Sequence, residues 1–576
     1  MRFPDERTDG QTANMYYNHL SMNRENIIAK TLRYYQMHGF TATVRKVYYK
    51  EFSNYHRWMI SSQPDADTLR KQRNTIFPYA PCISILIPTY NTPLDLLEQT
   101  IRSVTEQSYA NWQLCIADGS DKEEVRNALR AYAAEDTRIC VRFLDRNYGI
   151  SGNTNQALEL AQGEYTGLFD HDDLLEKHAL YEIVRALQDA RYEVLYTDED
   201  KLIHSNGKFC EPNFKPDYSP EYLHSCNYIT HFFVARTSLL KEIGGFRSAY
   251  DGSQDYDLIL RCLNRASLVR HIPKILYHWR IHDGSTAADP ENKLYCYEAG
   301  VNAIRDSLLS QKKAGSAEMD HTHYGIYRTE ITPDPSDTVS AVVVCTEPDP
   351  AMTAACIRSI YNTPKLSELI LVCDPGHAET VRKKLNPAIP VQVVSDDCSS
   401  LERLLCKAAE QASGSILFVL NNAMTLRNGC RLATAYGHFA DRKIGTVGVR
   451  TLYRDYVIRS ELVAGDDGFV LDFHKGTHVT EDGYQFCSIV TNNCMAVPFY
   501  GMLTRRSLFL AHPISHRISE NNAAYEYGLF TRQEKLRTVF EPSVIFDQCT
   551  KPAKEGFEKV SYSNDPYWNI NILRYR

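Results

Sequence analysis

The stretch Tyr165-Thr166-Gly167-Leu168-Phe169-Asp170-His171-Asp172-Asp173-Leu174-Leu175 places an acidic cluster directly after an apolar, strand-like run. Three carboxylates so close together repel one another unless a cation or solvent compensates them. Carboxylates at a strand end are typical ligands of a hard divalent ion, which in turn binds a diphosphate. The alternative is a solvated acidic loop that caps a helix beginning near Leu174. The spacing of the carboxylates alone leaves both interpretations open, and the flanking sequence is needed to choose between them.

The bulk composition of the 576-residue chain is ordinary for a soluble globular protein of two or three domains. Its net charge of -7 argues against nucleic-acid binding. No apolar run reaches the roughly 18 residues that a membrane span needs, and residues 1–10 lack the apolar core of a secretion signal. The 16 cysteines are scattered without a CxxC pair, which favours reduced thiols in a cytoplasmic protein.

Residues 1–80 carry no strand-like alternation, and they predict an N-terminal helical region. Within residues 21–60 there are seven Lys or Arg against two Asp or Glu, with apolar side chains interleaved. Such a basic amphipathic surface favours peripheral contact with anionic lipid at the inner face of the cell membrane. The alternative is a helical cap that packs on the next domain and leaves its basic side chains solvated.

Residues 81–315 alternate short apolar strands with helices, which predicts an α/β domain with a mostly parallel sheet. In such sheets the ligand lies outside the carboxyl ends of the strands. Asp118 and Asp170 both fall at predicted strand ends. We therefore expect these two carboxylates to share one cleft.

After a predicted linker at residues 316–337, the same alternation restarts and continues over 338–576. Gly163 precedes Asp170 by seven residues, and Gly414 precedes Asn421 by seven. This agreement predicts an internal duplication of a whole domain. Chance similarity between two α/β domains is the alternative.

A set of short motifs in a fixed order carries a family resemblance. They are Ser84 to Asn91, Cys115 to Ser120, Asn147 to Ala157, the Asp170–Asp173 cluster, Gly244-Gly245-Phe246, Gln254 to Asp257 and Tyr277 to Arg280. With them the chain resembles the family 2 glycosyltransferases of the GT-A fold, closely over 81–315 and more loosely over 338–576. The tandem arrangement resembles bacterial enzymes that build surface polysaccharides of the rhamnan or O-antigen kind. The resemblance implies two tandem GT-A domains, of Rossmann-like α/β architecture, behind the helical region.

The resemblance implies that a nucleotide-diphospho-sugar donates its sugar to an acceptor hydroxyl with inversion at the anomeric carbon. Asp118 matches the position that contacts the nucleotide base, although it could simply begin a turn. Thr89, Asn91 and Asp170 are the other implied contacts of the donor nucleotide. Arg280 suits the diphosphate because a guanidinium binds two phosphate oxygens at once.

The same resemblance implies Mg²⁺ or Mn²⁺ as the cofactor that neutralises the diphosphate leaving group. Asp172, Asp173 and His278 are the candidate ligands. Which carboxylate of the cluster touches the ion stays open. Arg280 and His282 are rivals of His278, which could also be a structural histidine.

Asp255 matches the position of the catalytic base, although Gln254 stands where the family commonly has Glu. A carboxylate opposite the leaving group takes the proton of the acceptor hydroxyl. The alternative is that Asp255 caps the helix that follows it. Asp198 and Asp200 resemble a segment near the donor sugar or acceptor, with a surface turn as the alternative.

The second copy departs from the family pattern at its reactive positions. Residues 170–173 correspond to Asn421, Asn422, Ala423 and Met424, so every carboxylate of the cluster is missing. Glu526 is the best match at the base position, Asp547 replaces His278, and Asp374 survives at the position of Asp118. We expect a degenerate domain that packs on the first or binds glycan, with an active metal-independent transferase as the alternative.

Together these features predict a cytoplasmic glycosyltransferase of surface-polysaccharide synthesis, acting on a glycan or lipid-linked glycan. A sugar nucleotidyltransferase would need a Gly- and Arg-rich loop after the first strand, where this chain has residues 89–93, Thr-Tyr-Asn-Thr-Pro. A non-catalytic glycan-binding or scaffold protein is the other alternative. The intact acidic cluster and Asp255 argue against it.

Overall fold

The computed structural model describes residues 55–282, 294–385, 389–395, 400–464, 470–514, 519–551, 565–569 and 571–574. The predictions for residues 1–54, including most of the basic amphipathic surface, lie outside the described residues. Within the described ranges, every helix is too short or too polar to cross a lipid bilayer.

The first half of the chain forms a nine-stranded sheet flanked by helices. Its helices are α1 (Tyr55–Ser62), α2 (Ala66–Arg73), α3 (Leu94–Thr105), α4 (Glu123–Glu135), α5 (Gly149–Leu160), α6 (Ala179–Ala186), α7 (Pro220–Leu223), α8 (Thr237–Glu242), α9 (Gln254–Arg265) and α10 (Leu294–Ser310). Its strands are β1 (Ile83–Thr89), β2 (Trp112–Asp118), β3 (Ile139–Phe143), β4 (Tyr165–Leu168), β5 (Leu174–Leu175), β6 (Val194–Ile203), β7 (Lys208–Asn213), β8 (Phe233–Arg236) and β9 (Val269–Ile281). The strand order is β3-β2-β1-β4-β8-β6-β9-β5, with β7 paired to β6.

Strands β1 to β4 are parallel, and their carboxyl ends lie at one edge of the sheet. All seven residues of β1 are buried, which explains its mostly apolar sequence. Helix α3 packs on this strand through Leu97 and Ile101, four residues apart on one helix face. In the parallel register Thr89 lies opposite Asp118. The predicted cleft therefore begins where these strands end.

The segment predicted as a linker differs from the expectation. It contains an antiparallel hairpin of β10 (Gly315–Met319) and β11 (Tyr327–Ile331). The side chains of Ala317 and Tyr327 are buried against the core of the first half, and the Tyr327 N–H donates to the Ser225 carbonyl at 2.8 Å. Burial of these side chains gives the segment a fixed structure.

The second half repeats this architecture. Its helices are α11 (Pro350–Ile360), α12 (Pro375–Lys384), α13 (Leu401–Gln411), α14 (Leu432–Gly437), α15 (Arg506–Ala511), α16 (Glu520–Gln533) and α17 (Asn571–Arg574). Its strands are β12 (Val339–Val344), β13 (Leu366–Val372), β14 (Val391–Val394), β15 (Ile416–Asn421), β16 (Met424–Leu426), β17 (Ile444–Tyr453), β18 (Tyr456–Arg459), β19 (Leu462–Ala464), β20 (Val470–Asp472), β21 (Asn492–Cys494), β22 (Met502–Arg505) and β23 (Arg537–Gln548). The main sheet has the order β14-β13-β12-β15-β22-β17-β23-β16, while β19 and β20 form a separate pair.

The two main sheets share strand order and local detail. In the first, the Gly163 N–H donates to Ser84 Oγ at 2.9 Å; in the second, the Gly414 N–H donates to Ser340 Oγ at 2.9 Å. A side chain on either glycine would collide with the neighbouring strand. The two tandem α/β folds predicted from the sequence are confirmed.

Candidate active site

The first component of the site is the carboxylate at the end of β2. Asp118 is fully buried, and its Oδ1 accepts hydrogen bonds from Thr89 Oγ1 at 2.9 Å and Ser120 Oγ at 2.5 Å. Its Oδ2 lies 3.5 Å from Arg126 Nε but accepts no hydrogen bond from the described residues. A buried carboxylate oxygen without a donor is a ready acceptor for a ligand N–H.

Asn91 connects the loops after β1 and β2. It adopts the left-handed backbone region with φ of 52°, which Asn tolerates better than most residues. Its N–H donates to Ser120 Oγ at 2.7 Å, while its Oδ1 accepts from the N–H groups of Asp121 and Lys122 at 3.1 and 3.2 Å. Asn91, like Thr89, therefore holds the loop that presents Asp118.

The acidic cluster follows β4 beside these loops. The side chain of Asp170 is 51% exposed, and that of Asp172 contacts His282 Nε2 through Oδ2 at 2.9 Å. Between them, His171 Nδ1 lies 3.1 Å from Thr92 Oγ1, which joins the acidic loop to the loop after β1. Asp170 and Asp172 thus present carboxylate oxygens near the loops that follow β1 and β2.

Asp173 occupies a different environment. Its Oδ2 accepts a hydrogen bond from Tyr277 OH at 2.5 Å, and its Oδ1 accepts one from the Arg280 N–H at 2.7 Å. Burial, reinforced by the charges of Asp170 and Asp172, raises the pKa of Asp173 well above its usual range. Its interactions anchor the acidic loop to β9, so the geometry favours Asp170 and Asp172 as metal ligands.

His231 is a member of the site that the sequence interpretation missed. Its Nδ1 lies 3.0 Å from Glu199 Oε2, and its Nε2 lies 3.7 Å from Asp170 Oδ2. Although burial opposes protonation, the hydrogen bond and charge of Glu199 raise the pKa of His231 to about 9. At neutral pH this imidazolium is a fixed positive charge beside the acidic cluster. No motif in the sequence marks it.

Asp255 lies in the first turn of α9, where Asn227 Nδ2 donates to its Oδ2 at 2.9 Å. Burial raises the pKa of this carboxyl, the charge of His231 lowers it, and the charge of Asp170 raises it again. These couplings place Asp255 and the acidic cluster in one electrostatic site. A carboxylate with a raised pKa is a stronger base.

Arg280 brings positive charge to the same region from β9. Its side chain is 1% exposed, and Nη1 donates to Gln99 Oε1 at 2.8 Å. Its Nε and Nη2 are buried and lack hydrogen-bond partners among the described residues. Two unsatisfied guanidinium donors near a carboxylate cluster fit an anionic ligand with several oxygens.

His278 is placed differently from the sequence prediction of a metal ligand. It is buried, with Nδ1 2.5 Å from Asp200 Oδ1 and Nε2 2.9 Å from Glu176 Oε1. Burial opposes protonation, but the charge and hydrogen bond of Asp200, with those of Glu176, raise the pKa of His278 to about 10. A protonated imidazole has no lone pair for a metal. The rival named from the sequence, His282, contacts the cluster through Asp172 Oδ2 at 2.9 Å.

The two candidate acceptor residues, Asp198 and Asp200, form hydrogen bonds with other parts of the protein. Asp200 Oδ2 accepts from Tyr55 OH at 2.6 Å, which joins α1 to the sheet. Asp198 is buried and contacts His271 Nε2 at 2.8 Å and Asn569 Nδ2 at 2.9 Å. Both carboxylates thus hold the protein together, and neither is available to an acceptor sugar in this arrangement.

The corresponding site of the second half is closed by amide hydrogen bonds. Asn421 Oδ1 accepts from the Ala423 N–H at 3.0 Å, and Asn422 Nδ2 donates to Thr353 Oγ1 at 2.9 Å. Asp374 Oδ1 accepts from the His377 N–H at 2.8 Å and caps α12. Each of these side chains is hydrogen-bonded to a neighbouring residue, and residues 421–424 contribute no carboxylate for a divalent ion.

The sequence of the chain is similar to those of several known proteins. Residues 84–244 match the family model described as Glycosyl transferase family 2. The O-antigen biosynthesis protein RfbC of Myxococcus xanthus is 28% identical over 549 residues, 90% of this chain and 42% of that protein. The first half thus contains a region that matches the family 2 glycosyltransferases.

Further similarities cover smaller parts of the chain. The protein y4gI of Sinorhizobium fredii, described as uncharacterized, is 44% identical over 234 residues, 40% of this chain and 25% of that protein. This chain spans less than half the length of either relative. The crystal structure of S. aureus TarS 1-349 in complex with UDP-GlcNAc has a TM-score of 0.34 and 19% identity, over 39% of this chain and 66% of that chain.

Proposed function

We propose that the first half transfers a sugar from a nucleotide-diphospho-sugar to an acceptor hydroxyl, with a divalent cation and inversion at the anomeric carbon. The observation that carries the proposal is the electrostatic coupling of Asp255, a carboxyl of raised pKa, to Asp170 and His231. This coupling supports a role for Asp255 as a base that acts together with the acidic cluster.

The donor nucleotide is bound at the ends of β1 and β2. The unpaired Oδ2 of Asp118 accepts an N–H of the base, and Thr89 and Asn91 hold the loop in place. Asp170 lies farther along the same edge of the sheet, nearer the ribose and diphosphate. The buried Nε and Nη2 of Arg280 donate to the diphosphate oxygens.

The donor set of the acidic cluster fits Mg²⁺ or Mn²⁺. Asp170 and Asp172 offer carboxylate oxygens, which these hard ions prefer, and His282 lies against Asp172. Such an ion supplies positive charge to the diphosphate leaving group. Asp173 supports the cluster through Tyr277 and the Arg280 backbone.

The chemical step depends on Asp255. One of its carboxylate oxygens takes the proton of the acceptor hydroxyl as that oxygen bonds to the anomeric carbon. The bond from the anomeric carbon to the diphosphate breaks on the opposite face, which inverts the configuration. Arg280 stabilises the charge that develops on the departing diphosphate.

The wider role is synthesis of a cell-surface polysaccharide on a glycan or lipid-linked glycan acceptor. The similarity to RfbC over 90% of this chain supports it. The excess of basic residues within 21–60 supports cytoplasmic activity at the inner face of the membrane. Flotation with anionic liposomes tests this part, because a chain lacking residues 1–80 should lose binding that the full chain has.

For the second half we propose a catalytically silent role in packing on the first half or holding glycan. The absence of carboxylates at 421–424 supports it, as does the use of Asp374 as a helix cap. In the register of β16 and β23, Thr425 lies opposite Asp547, as Leu174 lies opposite His278 in the first half. Asp547 forms an ion pair with Arg427 there.

Nucleotide release from a panel of UDP-, dTDP- and GDP-sugars with Mn²⁺ or Mg²⁺ tests the proposal. We expect metal-dependent release from one donor class, and its loss in Asp172→Ala. The matched control is Asp547→Ala, an acidic residue of the second half, which should leave release unchanged. Release that survives Asp172→Ala would overturn the assignment to the first half.

A further inference from the structure

A second group of potential metal ligands lies far along the chain from the acidic cluster. Glu461, His474 and Cys487 each place one ligand atom within 4.8 Å of the other two. Glu461 precedes β19, His474 follows β20, and Cys487 follows a short turn of helix at 484–486. Glu461 and His474 are buried and Cys487 is half-buried. Three separate segments thus converge on one point.

From this convergence we propose that Glu461, His474 and Cys487 bind one Zn²⁺ ion, with water in the fourth position. A tetrahedral zinc site holds its ligand atoms roughly 3.4–3.6 Å apart. His474 Nε2 and Glu461 Oε1 are already 3.2 Å apart. Closing the remaining separations, all below 4.8 Å, requires side-chain shifts of about 1 Å.

The chemistry of the three ligands selects the metal. A thiolate and an imidazole favour zinc over Mg²⁺ or Mn²⁺, which prefer oxygen. A cysteine binds zinc as its thiolate, so zinc binding would release the thiol proton of Cys487.

The group borders a cavity whose lining residues include two polar atoms without hydrogen-bond partners in the described part of the chain. Glu461 and Cys487 line a cavity of about 60 Å³ at the junction of the two halves. Asn492 Oδ1 and Trp568 Nε1 belong to residues that line this cavity, and both are buried without hydrogen-bond partners in the described part of the chain. An unpaired acceptor and an unpaired donor fit a hydrated ion.

The cavity lies where the two halves of the chain meet, so an ion bound there would affect the stability of this junction. Phe214 and Tyr222 of the first half line it, together with Cys487 and Trp568 from later in the chain. A ligand that binds only the folded state raises its stability. The zinc ion would therefore stabilise the junction between the halves, independently of the acidic cluster and its chemistry.

The first test is metal analysis of the full chain purified without chelators, followed by Co²⁺ titration of the metal-free protein. We expect about one equivalent of zinc and a thiolate-to-cobalt charge-transfer band in the near ultraviolet. Cys487→Ser and His474→Ala should lose both signals. Cys494→Ser is the matched control, because Cys494 lines the same cavity outside the three-residue group.

Wild-type protein that contains no zinc and shows no thiolate band with cobalt would overturn the proposal, even if the variants failed to fold. Equal zinc in wild type and in folded Cys487→Ser would also overturn it, as would equal loss of zinc in Cys494→Ser and Cys487→Ser. Zinc content does not depend on sugar transfer, so failure of the transferase assay would leave this result intact.

Discussion

Arg537 of the second half donates hydrogen bonds at 2.9 and 3.2 Å to both carboxylate oxygens of Glu221 in the first half. Both side chains are largely buried, and Arg537 also contacts Asp441 Oδ2 at 2.8 Å. Burial opposes these charged forms, but the charge and hydrogen bonds of Arg537 lower the pKa of Glu221 to about 2. The two halves are therefore joined by a desolvated ion pair.

Removing Arg537 leaves the Glu221 carboxylate buried and without its charged partner. We predict that Arg537→Met lowers the free energy of unfolding by about 3–5 kcal/mol, as measured by urea denaturation. The control is Arg431→Met, which removes an exposed ion pair between the second half and Glu330 of the β10–β11 hairpin. This control should cost less than about 1 kcal/mol. Equal losses in the two variants would contradict the account.

The second prediction concerns donor binding at Asp118. Asp118→Asn replaces one carboxylate oxygen with an amide NH₂ group, which cannot accept a hydrogen bond from a base N–H. We expect nucleotide diphosphate to bind about 10-fold more weakly by calorimetry, the loss of one charge-assisted hydrogen bond. Asp121→Asn is the control, because Asp121 contacts Tyr90 OH at the surface. An unchanged affinity of Asp118→Asn for nucleotide diphosphate would show that Asp118 does not contact the base.

The third prediction separates two neighbouring aspartates. Asp172→Ala should abolish Mn²⁺ binding in a calorimetric titration with nucleotide diphosphate while leaving the melting temperature nearly unchanged. Asp173→Ala should destabilise the fold by about 2–5 kcal/mol, because it leaves Tyr277 OH and the Arg280 N–H without an acceptor. Loss of Mn²⁺ binding in Asp173→Ala without loss of stability, with a destabilised Asp172→Ala, would instead identify Asp173 as a metal ligand.

The fourth prediction is a pH dependence of stability. The pKa of His278 is raised from 6.5 to about 10 in the folded protein. Its contribution to stability is therefore fully present below about pH 6.5 and is lost as pH rises toward 10. In urea denaturation at several pH values, wild type should lose more stability across this window than His278→Gln. Parallel curves for the two proteins would contradict the buried imidazolium.

The sequence predicted best what a continuous run of residues determines. Asp118 ends the buried strand β2, and Asp170 and Asp172 follow the mostly buried strand β4, so the apolar runs before them predicted their position at the carboxyl edge of the sheet. The repeated glycine spacing likewise identified the second sheet, since Gly163 and Gly414 make the same close contact with a serine. These features depend on local pattern and strand burial.

Contacts between residues that lie on distant segments of the chain could not be predicted from the sequence. Asp200 on β6 lies opposite His278 on β9 in the parallel register, which turns two separate site candidates into one buried ion pair. The contact of His231 with Glu199 arises in the same way, between residues 32 positions apart. No spacing rule indicates which partner a polar strand residue will meet.

The central claim is that catalysis belongs to the first half, with Asp255 as the base. The most direct test is the single-turnover rate of sugar transfer in Asp255→Asn and in Glu526→Gln, the best sequence match to Asp255 in the second half. We predict a loss of at least about 100-fold in Asp255→Asn, with unchanged nucleotide affinity and melting temperature, and a wild-type rate in Glu526→Gln. A wild-type rate in Asp255→Asn with a loss in Glu526→Gln would contradict the account.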